Sequence, residues 1–118
     1  MEIQLLDNIK YERTVSEFLK GCMIKETHRG YRYLEYALNI TRCDFTATFN
    51  IKKNIYIPIE LYFDVGDETV ERCIKYAIKE GFRLSKEYRR YNLFKDFKTV
   101  PSNKVFIELA SRELKNIE

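Results

Sequence analysis

The stretch Thr69-Val-Glu-Arg-Cys-Ile-Lys-Tyr-Ala-Ile-Lys-Glu-Gly-Phe82 decides the fold class, because its apolar residues recur at spacings of three and four. This period places them on one face of a helix and predicts a buried stripe. The stripe consists of Val70, Cys73, Ile74, Ala77 and Ile78. We expect Asp67 to cap the start of the helix and Gly81 to end it, so that the helix covers residues 67–81.

The face of this helix that points away from the stripe is polar and charged. It carries Glu71, Arg72, Lys75 and Lys79, with Tyr76 beside them. An arginine can form two hydrogen bonds with guanine in the major groove, and a glutamate can accept one from the cytosine amino group. Glu71 and Arg72 are therefore predicted to read bases of double-stranded DNA. In the alternative interpretation, Glu71 and Lys75 form an ordinary surface ion pair, worth about 0.3 to 0.5 kcal/mol.

The residues before this helix indicate a helix-turn-helix. A short helical candidate precedes the tight segment Asp64-Val-Gly-Asp67, and the helix that follows exposes charged side chains near its N-terminal half. Taken alone, however, residues 54–63 alternate in character and are rich in β-branched and aromatic side chains, which is typical of a strand.

Three segments of the chain follow one another at intervals seen in one protein family. They are His28-Arg-Gly-Tyr-Arg-Tyr-Leu34, Val70-Glu-Arg-Cys-Ile-Lys-Tyr-Ala-Ile78 and Pro101-Ser-Asn-Lys-Val-Phe-Ile107. The family segments read Lys-Gly-Tyr-x-Tyr-Leu, Val-Glu-Arg-Ala-Ile-Arg and Pro-Thr-Asn-x-x-Phe-Ile. The chain therefore resembles the C-terminal DNA-binding (effector) domain family of the sporulation initiation response regulator of Firmicutes. The similarity runs from about Val15 to Lys115.

The resemblance implies an all-α, compact domain of about six helices that contains a helix-turn-helix. It also implies sequence-specific binding of short operator boxes that contain a C-G step, and hence a transcription regulator. The base-contacting residues of the family correspond to Glu71 and Arg72, and the following arginine of the family corresponds to Lys75. We expect Lys75 to contact DNA as well, with looser base preference, because it lacks the forked guanidinium of arginine.

The resemblance also assigns residues 54–63 to a helical state. A break is expected near Ile57, with a new helix from Pro58 to Tyr62, because proline is tolerated in the first turn of a helix. Apolar periodicity predicts two further helices, from Arg29 to Ile40 and from Ser102 to Asn116.

Cationic and polar side chains around the reading helix are candidates for contacts with the DNA backbone. Residues 82–98, directly after that helix, hold six cationic and two acidic side chains. The full predicted set is Arg29, Arg32, Thr69, Lys79, Arg83, Lys86, Arg89, Arg90, Lys98, Ser102, Asn103 and Lys104. Ser102 and Asn103 are included because phosphate binds at helix N-termini. The alternatives are a solvated surface helix at residues 82–98 and a simple capping role for Ser102.

Acidic residues around the reading helix oppose tight binding of phosphate. The family has Ser-Arg before its Val-Glu-Arg segment, whereas this chain has Glu68-Thr69. Glu68 is favourable near the positive end of a helix dipole but repels DNA phosphates. Residues 67–81 hold three cations and four acids, in a chain of net charge +3. These acids favour an alternative function, a protein-interaction module that antagonises a regulator or a defence complex without binding DNA.

The length of 118 residues predicts a single domain. We expect residues 1–14 to form an N-terminal extension packed on the body and residues 15–118 to form the helix-turn-helix DNA-binding domain. Regulators of the family carry a receiver domain, for which this length leaves no room, so either an excised domain or a standalone protein is expected. The initiating Met and the unrelated N-terminal residues favour the standalone domain. Both a homodimer on DNA and a protein partner stay open.

Several other classes of protein are not supported by the composition. Cys22, Cys43 and Cys73 are odd in number and scattered, which predicts buried thiols in a reducing cytoplasm. With His28 they do not have the spacing of a zinc site, and no catalytic motif is present. No metal, cofactor, catalytic residue or enzymatic activity is therefore predicted. No long apolar run indicates a membrane span.

Overall fold

The computed structural model of the protein describes residues 2–66 and 68–117, which contain helices, turns and connections but no strand. Five α-helices follow in order: α1 (Glu2–Gly21), α2 (Arg29–Cys43), α3 (Ile57–Phe63), α4 (Thr69–Leu84) and α5 (Asn103–Ile117). Shorter helical turns lie between them: Ala47–Asn50, Arg89–Tyr91 and Leu93–Asp96 of the 3-10 type, and Lys52–Tyr56 of the π type. The predicted all-α class is confirmed, and the α-helices are close to the expected six.

α4 packs across α2 through the predicted apolar stripe. Its Val70, Ile74, Ala77 and Ile78 are fully buried, and Cys73 is half-buried. A β-carbon on Gly30 of α2 would lie 2.7 Å from the β-carbon of Ala77 and would also overlap the carbonyl oxygen of Cys73. The crossing of α2 over α4 is therefore close enough to require glycine at this position.

Gly81 does not end α4, contrary to the prediction. The helix continues to Leu84, and the N–H of Ser85 donates to the carbonyl of Gly81 at 3.0 Å. A β-carbon on the buried Gly81 would lie 2.7 Å from the carbonyl oxygen of Cys22 and 2.8 Å from Cγ1 of Ile24. The glycine thus allows α4 to approach the segment after α1, and it has no role in helix termination.

The segment of residues 54–63 is helical, so the assignment taken from the family is confirmed and the strand-like pattern is misleading. Ile55 and Ile59 are both fully buried. They stand four residues apart, and that spacing places them on one face of a helix. β-Branched side chains therefore fill the core here without forming a sheet.

The predicted break near Ile57 is replaced by a π turn. Within Lys52–Tyr56 the helix widens, and the N–H of Ile57 donates to the carbonyl of Lys52, five residues earlier. α3 then continues with Pro58 in its first turn. Proline has no N–H to donate back along the chain, and Pro58 stands directly after the π turn, where the hydrogen bonds change from the wide to the α-helical spacing.

Two of the described residues between α3 and α4 lie in the left-handed region. Asp64, with φ 53°, caps the end of α3 and donates its N–H to the carbonyl of Glu60. Glu68, with φ 65°, occupies the N-cap of α4 without a side-chain cap hydrogen bond. This conformation costs a non-glycine residue about 1 to 2 kcal/mol. The predicted cap, Asp67, lies outside the described residues.

α5 begins one residue later than predicted. Oγ of Ser102 accepts the N–H of Val105 at 3.2 Å, so this side chain caps the helix. One face of α5 is buried, through Phe106, Ala110 and Leu114. The N-terminal end of the helix is thereby held beside α4, which α5 contacts along the core.

α1 runs without interruption across the predicted boundary between residues 14 and 15. Val15 and Leu19 belong to the core, and the hydroxyl of Tyr11 donates to the carbonyl of Leu38 at 2.8 Å. The helix therefore packs on the body on both sides of that position. The boundary itself stays a prediction.

The three cysteines occupy different environments. Cys22 is buried, and burial raises the pKa of its thiol to about 12. Cys73 is half-buried, and Cys43 is exposed because it is the last residue of α2. The predicted buried thiol is confirmed for Cys22 and is wrong for Cys43.

No helix within residues 2–66 and 68–117 combines the length and the apolar character needed to cross a membrane. In the same part of the chain, no group of three or more His, Cys, Asp or Glu side chains is placed to hold a metal ion.

Candidate nucleic-acid interface

The solvent face of α4 presents the charged side chains that the sequence singled out. Glu71, Arg72, Lys75 and Lys79 are all exposed, and Tyr76 between them is 53% exposed. Within the described residues, Glu71 and Lys75 form no ion pair within 4.0 Å. The alternative of an ordinary surface pair is therefore not what the structure has, and both side chains are available to a partner.

One groove separates this face from the N-terminal end of α5, and we call it the α4/α5 groove. Its volume is about 630 Å³. Its lining residues are Ile51, Tyr56, Glu71, Lys75, Lys79, Val100, Pro101, Ser102, Asn103 and Lys104. Two predicted base-reading residues and four predicted backbone-contacting residues thus come together along one groove, although they come from two distant parts of the sequence.

A second groove lies on the other side of the same face, against the N-terminal end of α2, and we call it the α2/α4 groove. Its volume is about 330 Å³. Its lining residues are His28, Arg29, Gly30, Arg72, Cys73 and Tyr76. Arg72, the third predicted base-reading residue, therefore shares a groove with Arg29. The charged face of α4 is flanked on both sides by the start of another helix.

A hydrogen-bonded tie lies in the α4/α5 groove. Nδ2 of Asn103 donates to the hydroxyl of Tyr56 at 3.1 Å and to the backbone carbonyl of Glu71 at 3.0 Å. Tyr56 is only 7% exposed, and burial raises the pKa of its phenol. The amide of Asn103 is thus directed into the protein. Nearby, Nζ of Lys104 lies 4.0 Å from a carboxylate oxygen of Glu108.

The remaining predicted backbone contacts lie outside both grooves, and three of them have partners within the protein. Nε of Arg83 lies 2.7 Å from Glu80, whose pKa falls because this guanidinium donates to it. Arg89 stacks on the ring of Phe82 at 3.6 Å and donates to the carbonyl of the same residue. Arg90 lies over the ring of its neighbour Tyr91. The others are Arg32, Lys86 and Lys98, which are exposed, and Thr69, which is half-buried.

The stretch that contains Arg83 to Lys98 does not form the surface helix considered as an alternative. It consists of the end of α4, a turn and two 3-10 turns. Leu93 and Phe94 are buried, and Oδ1 of Asn92 accepts the N–H of Phe94 at 2.9 Å. Burial of this apolar pair against the core breaks the segment into short turns.

The sequence did not mark His28 or Tyr76 as part of a site, although both line the α2/α4 groove. Their ring centroids are 5.3 Å apart. Nδ1 of His28 is buried and has no hydrogen-bond partner among the described residues. The available signals were indirect: Tyr76 follows Arg72 by one helical turn, and His28 directly precedes Arg29.

Residues 15–114 match the family described as sporulation initiation factor Spo0A C terminal. The chain belongs to this family. The matched range starts within α1 and ends within α5, so it contains both grooves and the whole of α4. Among individually curated proteins, no significant match was found.

The Spo0A C-terminal family is a family of DNA-binding effector domains that act in transcription regulation, and it is not an enzyme family. Membership confirms the predicted family and the predicted class of partner, double-stranded DNA. Within this Spo0A C-terminal domain, the two grooves and the charged face between them are the candidate nucleic-acid interface.

Proposed function

We propose that the protein is a sequence-specific double-stranded DNA-binding protein that regulates transcription in the cytoplasm and reads a short operator box containing a C-G step. The observation that carries the proposal is the position of the charged face of α4 between the N-terminal ends of α2 and α5. A helix that enters the major groove needs flanking groups at the height of the phosphates. Arg29 at the start of α2 is such a group on one side of α4, and Ser102 and Lys104 at the start of α5 are such groups on the other.

The proposed base contacts come from Glu71, Arg72 and Lys75. All three are exposed on α4: Glu71 and Arg72 lie in its first turn, and Lys75 follows one turn after Glu71. Arg72 would form paired hydrogen bonds with guanine, and Glu71 would accept from the amino group of the adjacent cytosine. Lys75 supplies an ammonium group, which cannot form the paired hydrogen bonds of a guanidinium but can contact guanine or a neighbouring phosphate.

The proposed backbone contacts come first from the residues in the two grooves. Arg29 at the start of α2, and Ser102 and Lys104 at the start of α5, border the same face of α4 as Lys79. Helix N-termini favour phosphate because their first N–H groups lack partners within the helix. Arg83, Arg89 and Arg90 would have to leave or share their present partners, so we assign them a smaller part.

In this proposal α3, residues 64–68 and α4 form the helix-turn-helix. Glu68 stands at the N-cap of the reading helix in a strained conformation. Strained residues are enriched at functional sites. Glu68 is exposed directly before the first turn of α4, so its negative charge would weaken attraction for phosphate there.

The test is selection of bound sequences from a randomised pool of duplex DNA at moderate salt. The parent protein is expected to enrich a short box with a C-G step. Arg72→Ala is expected to lose about 1 to 3 kcal/mol on that box and to relax the base preference. Arg112→Ala is the matched control, because Arg112 is also an exposed helical arginine but lies outside both grooves. Enrichment of the same box by Arg72→Ala would contradict the proposed reading contact.

A protein-interaction module is the second candidate function. It is favoured by large apolar side chains on the surface: Phe49, Leu61 and Tyr62 are 79%, 78% and 69% exposed. Exposed apolar groups of this size are common at protein interfaces. Folded protein that shows no salt-dependent retention on DNA at low ionic strength would favour this candidate, whereas steep salt dependence would favour DNA binding.

A further inference from the structure

We propose that Asn103 and Tyr56 are positioning residues for sequence reading, and that the side chain of Asn103 is not a contact to the DNA backbone. This inference rests on the proposed function, since it assigns how the reading helix is held. It revises the role that the sequence suggested for Asn103, which was phosphate binding at the start of α5.

The hydrogen bonds of Asn103 leave no donor for phosphate. A primary amide has two N–H donors and one carbonyl acceptor. Nδ2 donates to the hydroxyl of Tyr56 at 3.1 Å and to the carbonyl of Glu71 at 3.0 Å. What remains is Oδ1, an acceptor, and a phosphate oxygen is also an acceptor. In this orientation the side chain cannot form a hydrogen bond with the DNA backbone.

The same two bonds connect three helical elements at one point. Tyr56 belongs to the π turn before α3, Glu71 lies in the first turn of α4, and Asn103 is the first residue of α5. The ring of Tyr56 is held by burial, which fixes the position of its hydroxyl. Since the bond to α4 ends on the backbone of Glu71, the tie fixes the first turn of the reading helix without using a side chain that reads bases.

The tie sets the distance between the proposed phosphate contacts at the start of α5 and the proposed base contacts on α4. Ser102 and Lys104, beside Asn103, border the groove where a phosphate would sit, and Glu71 stands on the opposite wall. Phosphate contacts fix the register of a protein on the duplex, and base contacts can discriminate only in the correct register. Loosening the tie should therefore reduce discrimination between sequences more than it reduces general affinity for DNA.

The experiment compares Tyr56→Phe, Asn103→Ala and the double variant with the parent. Dissociation constants are measured at one salt concentration for the enriched box and for a scrambled duplex of equal length. Tyr56→Phe removes one hydrogen bond and is expected to bind the box about three- to tenfold more weakly. Asn103→Ala removes two and is expected to lose at least as much. Affinity for the scrambled duplex should change less than about twofold, and the double variant should resemble the weaker single variant, since both remove the same tie.

Tyr56→Phe keeps the buried ring and removes only the hydroxyl, so it tests the tie even where Asn103→Ala unfolds. Tyr33→Phe is its matched control, because Tyr33 is a buried tyrosine of α2 outside both grooves. Thermal unfolding of every variant is measured in parallel.

Two results would overturn the inference. Equal losses on both duplexes for Asn103→Ala, with Tyr56→Phe unaffected, would mean that Asn103 binds phosphate. Unchanged discrimination in folded variants would mean that the tie has no part in reading. If the parent itself failed to distinguish the two duplexes, the proposed function would fail, and that outcome is separate from both.

Discussion

The imidazole of His28 packs on the phenol ring of Tyr76, with ring centroids 5.3 Å apart and planes inclined by 55°. The two rings join the residue before α2 to the exposed face of α4. They form part of the wall of the α2/α4 groove, beside Arg29 and Arg72. An aromatic side chain on the charged face of α4 thus braces two elements of the fold.

Replacement of Tyr76 by alanine should therefore destabilise the protein. Aromatic pairs contribute about 0.5 to 1.5 kcal/mol beyond burial, and we expect a loss in that range for Tyr76→Ala. Tyr88→Ala is the matched control, because Tyr88 is 57% exposed, against 53% for Tyr76, and has no ring partner among the described residues. Denaturant unfolding measures both. Equal stability of the two variants would show that the ring contact contributes nothing.

Gly30→Ala should destabilise the crossing of α2 over α4. The added β-carbon would meet the β-carbon of Ala77 at 2.7 Å and also the carbonyl of Cys73. Since backbone must move, we expect a loss of about 1 to 3 kcal/mol, typical of overpacking. Gly21→Ala is the control, because its added β-carbon has no neighbour within 4 Å. The control should be neutral or stabilising in thermal unfolding, and a neutral Gly30→Ala would contradict the close crossing.

Substitutions of Glu68 should separate backbone strain from charge. Glu68→Gly removes both the left-handed strain at φ 65° and the carboxylate. We expect it to stabilise the fold by about 1 kcal/mol, because glycine adopts this conformation freely. Glu68→Gln removes only the charge and should leave stability nearly unchanged.

Both substitutions of Glu68 should tighten DNA binding at low salt by similar factors, since both remove a negative charge near phosphate. Titration of a labelled duplex at two salt concentrations measures this effect. Tightening by the glycine variant alone would assign the effect to the backbone and not to charge.

The thiol of Cys22 should make stability fall at alkaline pH. Burial raises its pKa from 9.0 to about 12. A raised pKa means that the folded state favours the neutral thiol, so the stabilisation is complete below pH 9 and is lost as pH rises from 9 toward 12. Unfolding of the parent and of Cys22→Ala is compared across that range. The free energy of unfolding should fall less steeply with pH in Cys22→Ala than in the parent. Parallel curves would contradict the raised pKa of Cys22.

The helices that bury only one face could be predicted from the sequence, because burial of one face sets the spacing of their apolar residues. The stripe of α4 and the buried face of α5 follow from apolar spacing alone. Prediction from the sequence failed at Gly81, because glycine is also the usual signal for a helix end, and only the approach of Cys22 shows its actual role. It was ambiguous at Ile55 and Ile59, since β-branched residues fit the core of either a helix or a sheet.

The candidate site was predictable to the extent that its residues lie on one helix. Exposure of Glu71 and Arg72 follows from helical phase. The contact of the Asn103 amide with Tyr56, 47 positions away in the chain, could not be predicted, because it leaves no local trace in the sequence. The stacking of the Arg89 guanidinium on the ring of Phe82, seven positions earlier, was likewise not predictable from the local sequence.

The π turn at Lys52–Tyr56 has a consequence for how relatives of this domain can vary. A π turn holds about one residue more than the α-helical turn it replaces, and each α-helical residue corresponds to a rotation of about 100°. Because the wide turn accommodates that extra residue, loss of the exposed Lys52 or Lys53 would restore a regular helix and keep the residues on either side close to their present orientation. Relatives of this domain can therefore differ in length by one residue at this point while the buried Ile55 and Tyr56 keep their places in the core.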